Sequence, residues 1–248
     1  MTELVHLDIA DQVATVTLDS EHNRNALSRQ LVTELSQHLA TADADTEVRA
    51  VLIRSAGTVF CSGADLTEAA SVGMEEGTRG LVALLRQIAS AETPVVVELA
   101  GPVRAGGLGI VGAADIVLAS ESVTFALTEV RLSLAPYVIA LTLLPRLTAR
   151  AAAETFLTGR KFGAVDAASY GLVTRAVADA DLDAAVQETL GDLRKGFPQG
   201  LRETKKLLNR ELLERIDGLG DEFAASSAKL FGSDEAREAM TAFLSRRK

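Results

Sequence analysis

Apolar and polar positions along the first part of the chain predict strands that alternate with helices. Apolar residues alternate over positions 5–9 and a β-branched run follows at 13–18, which predicts a β-hairpin. A four-residue leucine spacing over 31–39, behind a candidate cap at Asn25 or Ser28, predicts an amphipathic helix. Further strands are predicted in VRAVLIRSAG, TPVVVELAG, DIVLAS and VTFAL, and a further helix in RGLVALLRQIAS.

From about Thr148 onward the strand signals fade and helical periodicity takes over. Successive helices are predicted in ARAAAETFLTG, VDAASYG, DLDAAVQETLGDLRKG and LRETKKLLNRELLERI. The pattern therefore predicts an α/β protein with a helical C-terminal part. We place the α/β core at residues 1–190 and the helical region at 191–248.

Composition narrows the class of protein. With 248 residues, 48% of them hydrophobic, the chain can bury a sizeable core without a metal or a disulfide. A single cysteine and a charged N-terminal stretch without a signal-peptide core favour the cytoplasm. The sequence has no window of about 18 uncharged apolar residues, so no membrane span is predicted. A net charge of −9 and the absence of tryptophan make nucleic acid an unfavourable partner.

The stretch TVFCSGADL, residues 58–66, holds the only cysteine and raises the question of a nucleophile or a metal site. A Ser or Cys nucleophile would need a histidine partner brought close by the fold, and no G-x-S-x-G elbow surrounds Ser62. A zinc site is disfavoured because there is one cysteine and no paired histidine spacing. Cys61 is better explained as a small buried filler, and Asp65 as a cap for a following helix.

A second glycine-rich stretch, GLGIVG at residues 107–112, matches the dinucleotide fingerprint G-x-G-x-x-G. In a dinucleotide-binding fold these glycines should follow the strand at once and open a long crossover helix. Here GPVRA intervenes, and a strand-like segment resumes after room for only about two helical turns. The nicotinamide interpretation is therefore disfavoured.

The two glycine stretches share one feature that bears on chemistry. Each follows a predicted strand and leads into a predicted helix, so each can present free backbone N–H groups. Two such donors that converge would form an oxyanion hole, which requires small residues so that a substrate oxygen can approach. The alternative is that both stretches are only tight turns packed against a sheet, and spacing alone leaves both interpretations open.

Six ordered segments resemble the signature blocks of the crotonase family, also called the enoyl-CoA hydratase/isomerase family. They are LDSEHNRNALS, FCSGADL, GPVRAGGLGIVGAADIVLAS, FALTEVRLSLAP, LTGRKFGAVDAASYGLV and AFLSRRK. The resemblance implies a spiral of ββα units followed by C-terminal helices that mediate trimerisation, as a homotrimer or a dimer of trimers. It also implies an enzyme of fatty acid metabolism that acts on an acyl-CoA thioester, with no separate cofactor because coenzyme A is part of the substrate.

The resemblance assigns the catalytic groups to three positions. It places the two oxyanion donors at the backbone N–H groups of Ala64 and Gly106, and the acid/base carboxyl at Glu129. A thioester carbonyl gains negative charge as an enolate forms, which two aligned donors stabilise. An apolar pocket would raise the pKa of the Glu129 carboxyl toward neutrality, which suits a group that both accepts and donates a proton.

The sequence departs from well-known hydratases of the family at one position. Those hydratases carry a second glutamate where this chain has Gly109. Hydration of an enoyl-CoA is our leading expectation, and Δ3,Δ2-enoyl-CoA isomerisation with Glu129 alone is the alternative. A third hypothesis is a non-catalytic acyl-CoA-binding protein. The segment EVRLSLAP also resembles branched-chain hydratases of the methylglutaconyl-CoA type, some of which have glycine at this position, so the missing carboxyl does not decide the reaction.

The resemblance also implies contacts with coenzyme A. Arg24 would lie on the phosphate side with the backbone of Ala26 nearby. Phe243 and Arg246 occupy positions that in relatives reach the coenzyme A of a neighbouring subunit. Acyl chain length and branching are not predicted, because scattered side chains after Leu66 and around residues 137–144 would form the acyl pocket.

Overall fold

The structure is a computed structural model that describes residues 2–72 and 74–245, with the side chains at 70–72 and 244 outside that description. Its strands are β1 (Val5–Ala10), β2 (Val13–Leu18), β3 (Ala50–Ser55), β4 (Val95–Leu99), β5 (Val103–Arg104), β6 (Ile116–Ser120), β7 (Thr124–Ala126), β8 (Phe162–Gly163) and β9 (Arg175–Val177). Its α-helices are α1 (Arg29–Ala44), α2 (Leu66–Val72), α3 (Glu75–Ser90), α4 (Gly106–Ala113), α5 (Tyr137–Leu143), α6 (Ala149–Thr158), α7 (Ala164–Ser169), α8 (Leu182–Arg194), α9 (Pro198–Phe231) and α10 (Asp234–Ser245).

Six strands form a mostly parallel sheet in the order β1-β2-β3-β4-β6-β9. Only β1 is antiparallel to its neighbour, and it joins β2 through Asp11 and Gln12, whose φ angles are 48° and 66°. Positive φ at both central residues is typical of a two-residue type I′ turn. The predicted hairpin is therefore confirmed. A second, three-stranded sheet has the order β5-β7-β8.

The leucine-spaced helix is also confirmed. Of the two candidate caps, Ser28 is the one used, because its hydroxyl oxygen accepts a hydrogen bond from the backbone N–H of Leu31 at 3.3 Å. The leucines at positions 31, 35 and 39 are all buried against the sheet. Helix α1 and helix α3 therefore cover one face of the parallel sheet, and helix α8 covers the other.

The structure corrects the expectation that strands end near Thr148. Strand β8 pairs with β7, and β9 adds a parallel edge strand to the large sheet beside β6. These strands are two and three residues long, too short to show an alternating pattern. The expected boundary at residue 190 falls inside α8, whose Leu190 packs under the sheet, and the next helix begins at Pro198.

Helix α9 is anchored to the α/β core by buried polar groups. The Lys205 ammonium donates to the backbone oxygens of Ile88 at 2.9 Å and Thr93 at 3.0 Å, and it pairs with Asp115 at 2.8 Å. Breaking such a buried pair is strongly destabilising, so these contacts fix where α9 crosses the core. The far end of α9 then lies beside the site described below. No helix in the described ranges is long and apolar enough to cross a membrane.

Candidate active site

Two loops that are distant in sequence run side by side, one after β3 and the other between β4 and α4. The loop after β3 forms isolated parallel bridges from Cys61 to Val103 and from Ala64 to Leu27. The Arg104 N–H donates to the Cys61 carbonyl oxygen at 2.9 Å, and the Leu27 N–H donates to the Gly63 carbonyl oxygen at 2.8 Å. The first bond joins the two loops to each other, and the second ties the first loop to the segment before α1.

The amides of Ala64 and Gly106 come close at this junction. A Cβ added to Gly63 would lie 3.6 Å from the Gly106 nitrogen, and a Cβ added to Gly106 would lie 3.8 Å from the Ala64 nitrogen. Neither amide donates a hydrogen bond to any group of residues 2–72 or 74–245. Gly63 has a φ of +96° and Ala105 a φ of +46°. Two unpaired N–H donors at neighbouring turns have the form of an oxyanion hole.

The side chains around Ala64 have structural explanations. Cys61 is fully buried, and burial raises the pKa of its thiol to about 12, so a thiolate nucleophile is strongly disfavoured. The Ser62 hydroxyl donates to the Asn23 carbonyl oxygen at 3.1 Å. The Asp65 carboxylate accepts hydrogen bonds from the backbone N–H groups of Thr67 and Glu68, so it caps α2 as predicted.

We expect Cys61→Ala to retain kcat within about twofold of the wild-type value, because the thiol takes no part in the chemistry. The lost sulfur contacts beside Gly107 should lower the free energy of unfolding by about 1 kcal/mol. Steady-state turnover and urea unfolding check both effects. A cysteine variant that folds but does not turn over would return the thiol to the mechanism.

Glu129 opens a short 3₁₀ turn after β7. Its carboxyl oxygen Oε2 is buried and has no hydrogen-bond partner within the described ranges. Burial raises the pKa of Glu129 from 4.5 to about 7, against the opposing effect of a hydrogen bond from its own backbone N–H. A buried carboxyl that is partly protonated near neutral pH is suited to accept and return a proton.

The position of the family's second glutamate is closed by packing. A Cβ added to Gly109 would lie 2.8 Å from Cγ2 of Ile139 and 3.2 Å from Cδ1 of Leu85. The Thr142 hydroxyl also donates to the Gly109 carbonyl oxygen at 3.1 Å, which holds α5 against α4. The wall at this position is therefore apolar, and a larger side chain at Gly109 would require α5 or Leu85 to move.

One cavity of about 720 Å³ brings the predicted catalytic groups together. Its wall includes Ala64 and Gly106 from the two loops and Glu129 from the 3₁₀ turn. Leucines and phenylalanines make much of the remaining wall: Leu66, Leu81, Leu132, Leu134, Phe231 and Phe243. A largely apolar cavity with a few convergent polar groups is the usual form of a small-molecule site.

Three of the four residues predicted to contact coenzyme A line the cavity. Arg24 and Ala26 line the same cavity, and Arg24 is exposed with no acidic partner in the described part of the chain. Phe243 lines the cavity of its own chain. Contact of Phe243 with a neighbouring subunit's coenzyme A stays a prediction, and Arg246 lies outside the described residues.

The segment around residues 137–144, expected to contribute to the acyl pocket, reaches the cavity through Tyr137 and Ile139 of α5. His22, from the turn before α1, lines the cavity as well and was not assigned from the sequence. Its place there depends on how distant segments pack, and no local spacing indicates it. A positive φ at Ala105 is also unexpected, since positive φ is usual for glycine.

The loops after β3, β5 and β7 bring two amides and one carboxyl to a single cavity, on a fold, the crotonase fold, that is shared with solved enoyl-CoA hydratases. A family model described as Enoyl-CoA hydratase/isomerase matches residues 8–248. The crystal structure of an enoyl-CoA hydratase from Mycobacterium avium has a TM-score of 0.92 and 46% identity, covering 99% of this chain and 98% of that chain. The chain belongs to the enoyl-CoA hydratase/isomerase family, so the predicted family and fold class are confirmed.

Curated relatives agree with this assignment over nearly their whole length. A Rhodobacter capsulatus protein with the name "Probable enoyl-CoA hydratase" is 30% identical over 247 residues, covering 98% of this chain and 95% of the relative. The Short-chain-enoyl-CoA hydratase of Clostridium acetobutylicum is 28% identical over 249 residues, covering 98% of this chain and 95% of the relative.

Proposed function

We propose that the chain is an enoyl-CoA hydratase that adds water across the double bond of an unsaturated acyl-CoA. One observation carries the proposal: the residues of two unpaired amides and Glu129, whose buried Oε2 has no partner in the described ranges, line a single cavity. The thioester oxygen binds at the N–H groups of Ala64 and Gly106, which places C2 and C3 toward Glu129. The names of the relatives support hydration over other reactions of the family.

Proton transfer in this proposal needs only Glu129. Its carboxylate removes a proton from water as the oxygen bonds to C3, and the electron pair of the double bond moves onto the thioester oxygen. The two amides stabilise the resulting enolate more than the ground-state carbonyl. The protonated Glu129 then donates the same proton to C2, which restores the carboxylate and completes the addition of water.

The raised pKa of Glu129 predicts the pH dependence of hydration. The reaction starts with the carboxylate, so activity requires a pH above the pKa of Glu129, which is about 7. We expect kcat/KM to rise about tenfold per pH unit below that value and to level off above it. Initial rates between about pH 5 and 9 check this. A profile with its midpoint near 4.5, the usual value for glutamate, would contradict it.

Isomerisation is the second candidate, because Ile139 and Leu85 fill the space at Gly109 where a second carboxyl would lie. Moving a proton from C2 to C4 needs a single base that then acts as an acid. Product mass separates the two reactions when trans-2-enoyl-CoA and 3-enoyl-CoA are supplied in parallel. Gain of one water mass supports hydration, whereas an unchanged mass with a moved double bond supports isomerisation.

The same panel tests the remaining hypothesis of a non-catalytic acyl-CoA-binding protein. Tight binding of coenzyme A thioesters without conversion of any panel member would favour it and would overturn hydration. The unpaired Oε2 of Glu129 argues against it. A buried carboxyl oxygen without a partner lowers the stability of the fold, and such groups are typical of functional sites.

Arg24 gives a prediction for the coenzyme A side of the substrate. We propose that its exposed guanidinium binds the phosphates of coenzyme A. Arg24→Gln should raise KM about tenfold and leave kcat within about twofold, since the contact is equal in the ground and transition states. Steady-state kinetics at fixed ionic strength check this. A fall in kcat with unchanged KM would place Arg24 in the chemical step instead.

We also propose that the chain assembles into homotrimers or dimers of trimers. Two neighbouring leucines on α9, Leu207 and Leu208, are 75% and 71% exposed, which favours their burial against another subunit. Light scattering of the purified protein measures the assembled mass. A monomer at micromolar concentration would overturn this proposal.

A further inference from the structure

The hydroxyl of Tyr137 is an unassigned polar group on the cavity wall. Tyr137 is the first residue of α5, and its ring packs edge to face on Phe223 of α9, with ring centroids 5.4 Å apart and an angle of 68° between the rings. The hydroxyl makes no hydrogen bond within residues 2–72 and 74–245. It is also not among the buried unpaired atoms of that part, which are Glu129 Oε2 and Arg215 Nε. The hydroxyl is therefore open, on a ring that is held in place.

If Glu129 is the only carboxyl that acts in hydration, one of the two hydrogens of the attacking water has no acceptor assigned to it. A water molecule that reacts at C3 must keep one lone pair directed at that carbon, so both of its hydrogens need acceptors elsewhere. Glu129 accepts one of them. A misplaced nucleophile loses rate steeply, because about 1 Å of displacement can cost about 100-fold.

Helix α5, which packs against Gly109, offers one candidate for the second acceptor. Ile139 and Leu85 fill the space at Gly109 and carry no polar atoms in their side chains. Three consecutive residues of α5 line the cavity, Tyr137, Val138 and Ile139, and only the first has a polar side chain. A phenol hydroxyl accepts a hydrogen bond while it keeps its own proton.

We propose that Tyr137 Oη accepts the second hydrogen of the attacking water and so replaces the missing second carboxyl as the water-holding group. This assignment rests on the proposed hydration. In the step, the O–H bond directed at Glu129 breaks and the O–C3 bond forms. The electron pair of the double bond moves to the thioester oxygen, and Glu129 passes the proton to C2. Tyr137 keeps its proton throughout and only fixes the water.

The test compares Tyr137→Phe with Tyr170→Phe, a matched change at the only other tyrosine of the chain. The Tyr137 variant keeps the ring against Phe223 and removes only the hydroxyl. The Tyr170 hydroxyl accepts a hydrogen bond from Arg160 at 2.8 Å and lies outside the cavity lining. Two rates are measured for each protein: hydration of a trans-2-enoyl-CoA, and deuterium uptake at C2 of a saturated acyl-CoA in D₂O, which needs no bound nucleophilic water.

The expected result is a selective loss. Tyr137→Phe should lower kcat for hydration by about 10-fold to 100-fold and leave deuterium uptake within about twofold of the wild-type rate. Tyr170→Phe should change neither rate. Unchanged hydration in Tyr137→Phe would overturn the assignment, and so would an equal fall in both rates, which would place the hydroxyl in substrate binding. A wild-type chain that hydrates no enoyl-CoA would overturn the proposed function, and this role with it.

Discussion

Replacing Glu129 with glutamine should lower kcat for enoyl-CoA hydration by about 10²-fold to 10⁴-fold, the usual contribution of a general acid/base. Glutamine has nearly the same shape and fills the same space, but it cannot accept and return a proton. The effect should be largest above pH 7 and should shrink at lower pH, where the wild-type carboxyl becomes protonated as well. Unchanged turnover would remove Glu129 from the mechanism.

Stability provides the control for this variant. The folded state binds the Glu129 proton more tightly than the unfolded state, so the wild-type chain loses stability as the pH rises from about 4.5 to about 7. Glutamine removes that loss. Near pH 8 we expect the variant to be more stable than the wild-type chain by up to about 3 kcal/mol, since one pKa unit corresponds to about 1.36 kcal/mol. The gain should vanish below pH 4.5, as urea unfolding at both pH values can show.

A methyl group at Gly63 should lower kcat by about 10²-fold to 10³-fold, as expected when an oxyanion donor is displaced. The added Cβ would lie 2.8 Å from the Ala105 Cβ and 3.6 Å from the Gly106 nitrogen, so both donor turns would have to shift. A φ of +96° also strains any residue with a side chain. We expect Gly63→Ala to lose about 1–3 kcal/mol of stability in addition.

Gly191→Ala is the matched control for Gly63→Ala. Gly191 lies inside α8, and a Cβ added there would meet nothing within 4 Å. Alanine at this helical position should stabilise the protein by about 0.5–1 kcal/mol and leave kcat unchanged. If Gly63→Ala retains kcat within about threefold while it loses stability, the turn is structural and the oxyanion assignment is wrong.

Local patterns predicted the elements with the longest periodic signals. The alternation over residues 5–18 gave the hairpin, and the leucine spacing with its serine cap gave α1. The strands β8 and β9 were missed because two or three residues carry no period. Strand β9 belongs to the sheet only because β6 supplies its hydrogen-bonding partners.

The candidate site, like the fold, was predicted from the sequence only in part. Small residues at 62–64 and 105–107 indicated where amides could be exposed, yet nothing local showed that the two loops would meet. That meeting depends on the Cys61 and Arg104 backbone contacts across the fold. The raised pKa of Glu129 and the filling of Gly109 by Ile139 are likewise consequences of tertiary packing. Such contacts join residues 30 or more positions apart, which spacing arguments do not reach.

Deuterium uptake at C2 of a saturated acyl-CoA tests the central claim most directly. A saturated chain can neither be hydrated nor isomerised, so exchange reports only whether Glu129 removes a C2 proton while the Ala64 and Gly106 amides stabilise the enolate. Mass spectrometry after incubation in D₂O should show uptake with the wild-type protein, and none above background with Glu129→Gln. No uptake by a wild-type protein that binds the thioester, or equal uptake by the variant, would contradict the claim that these three groups form one acid/base site.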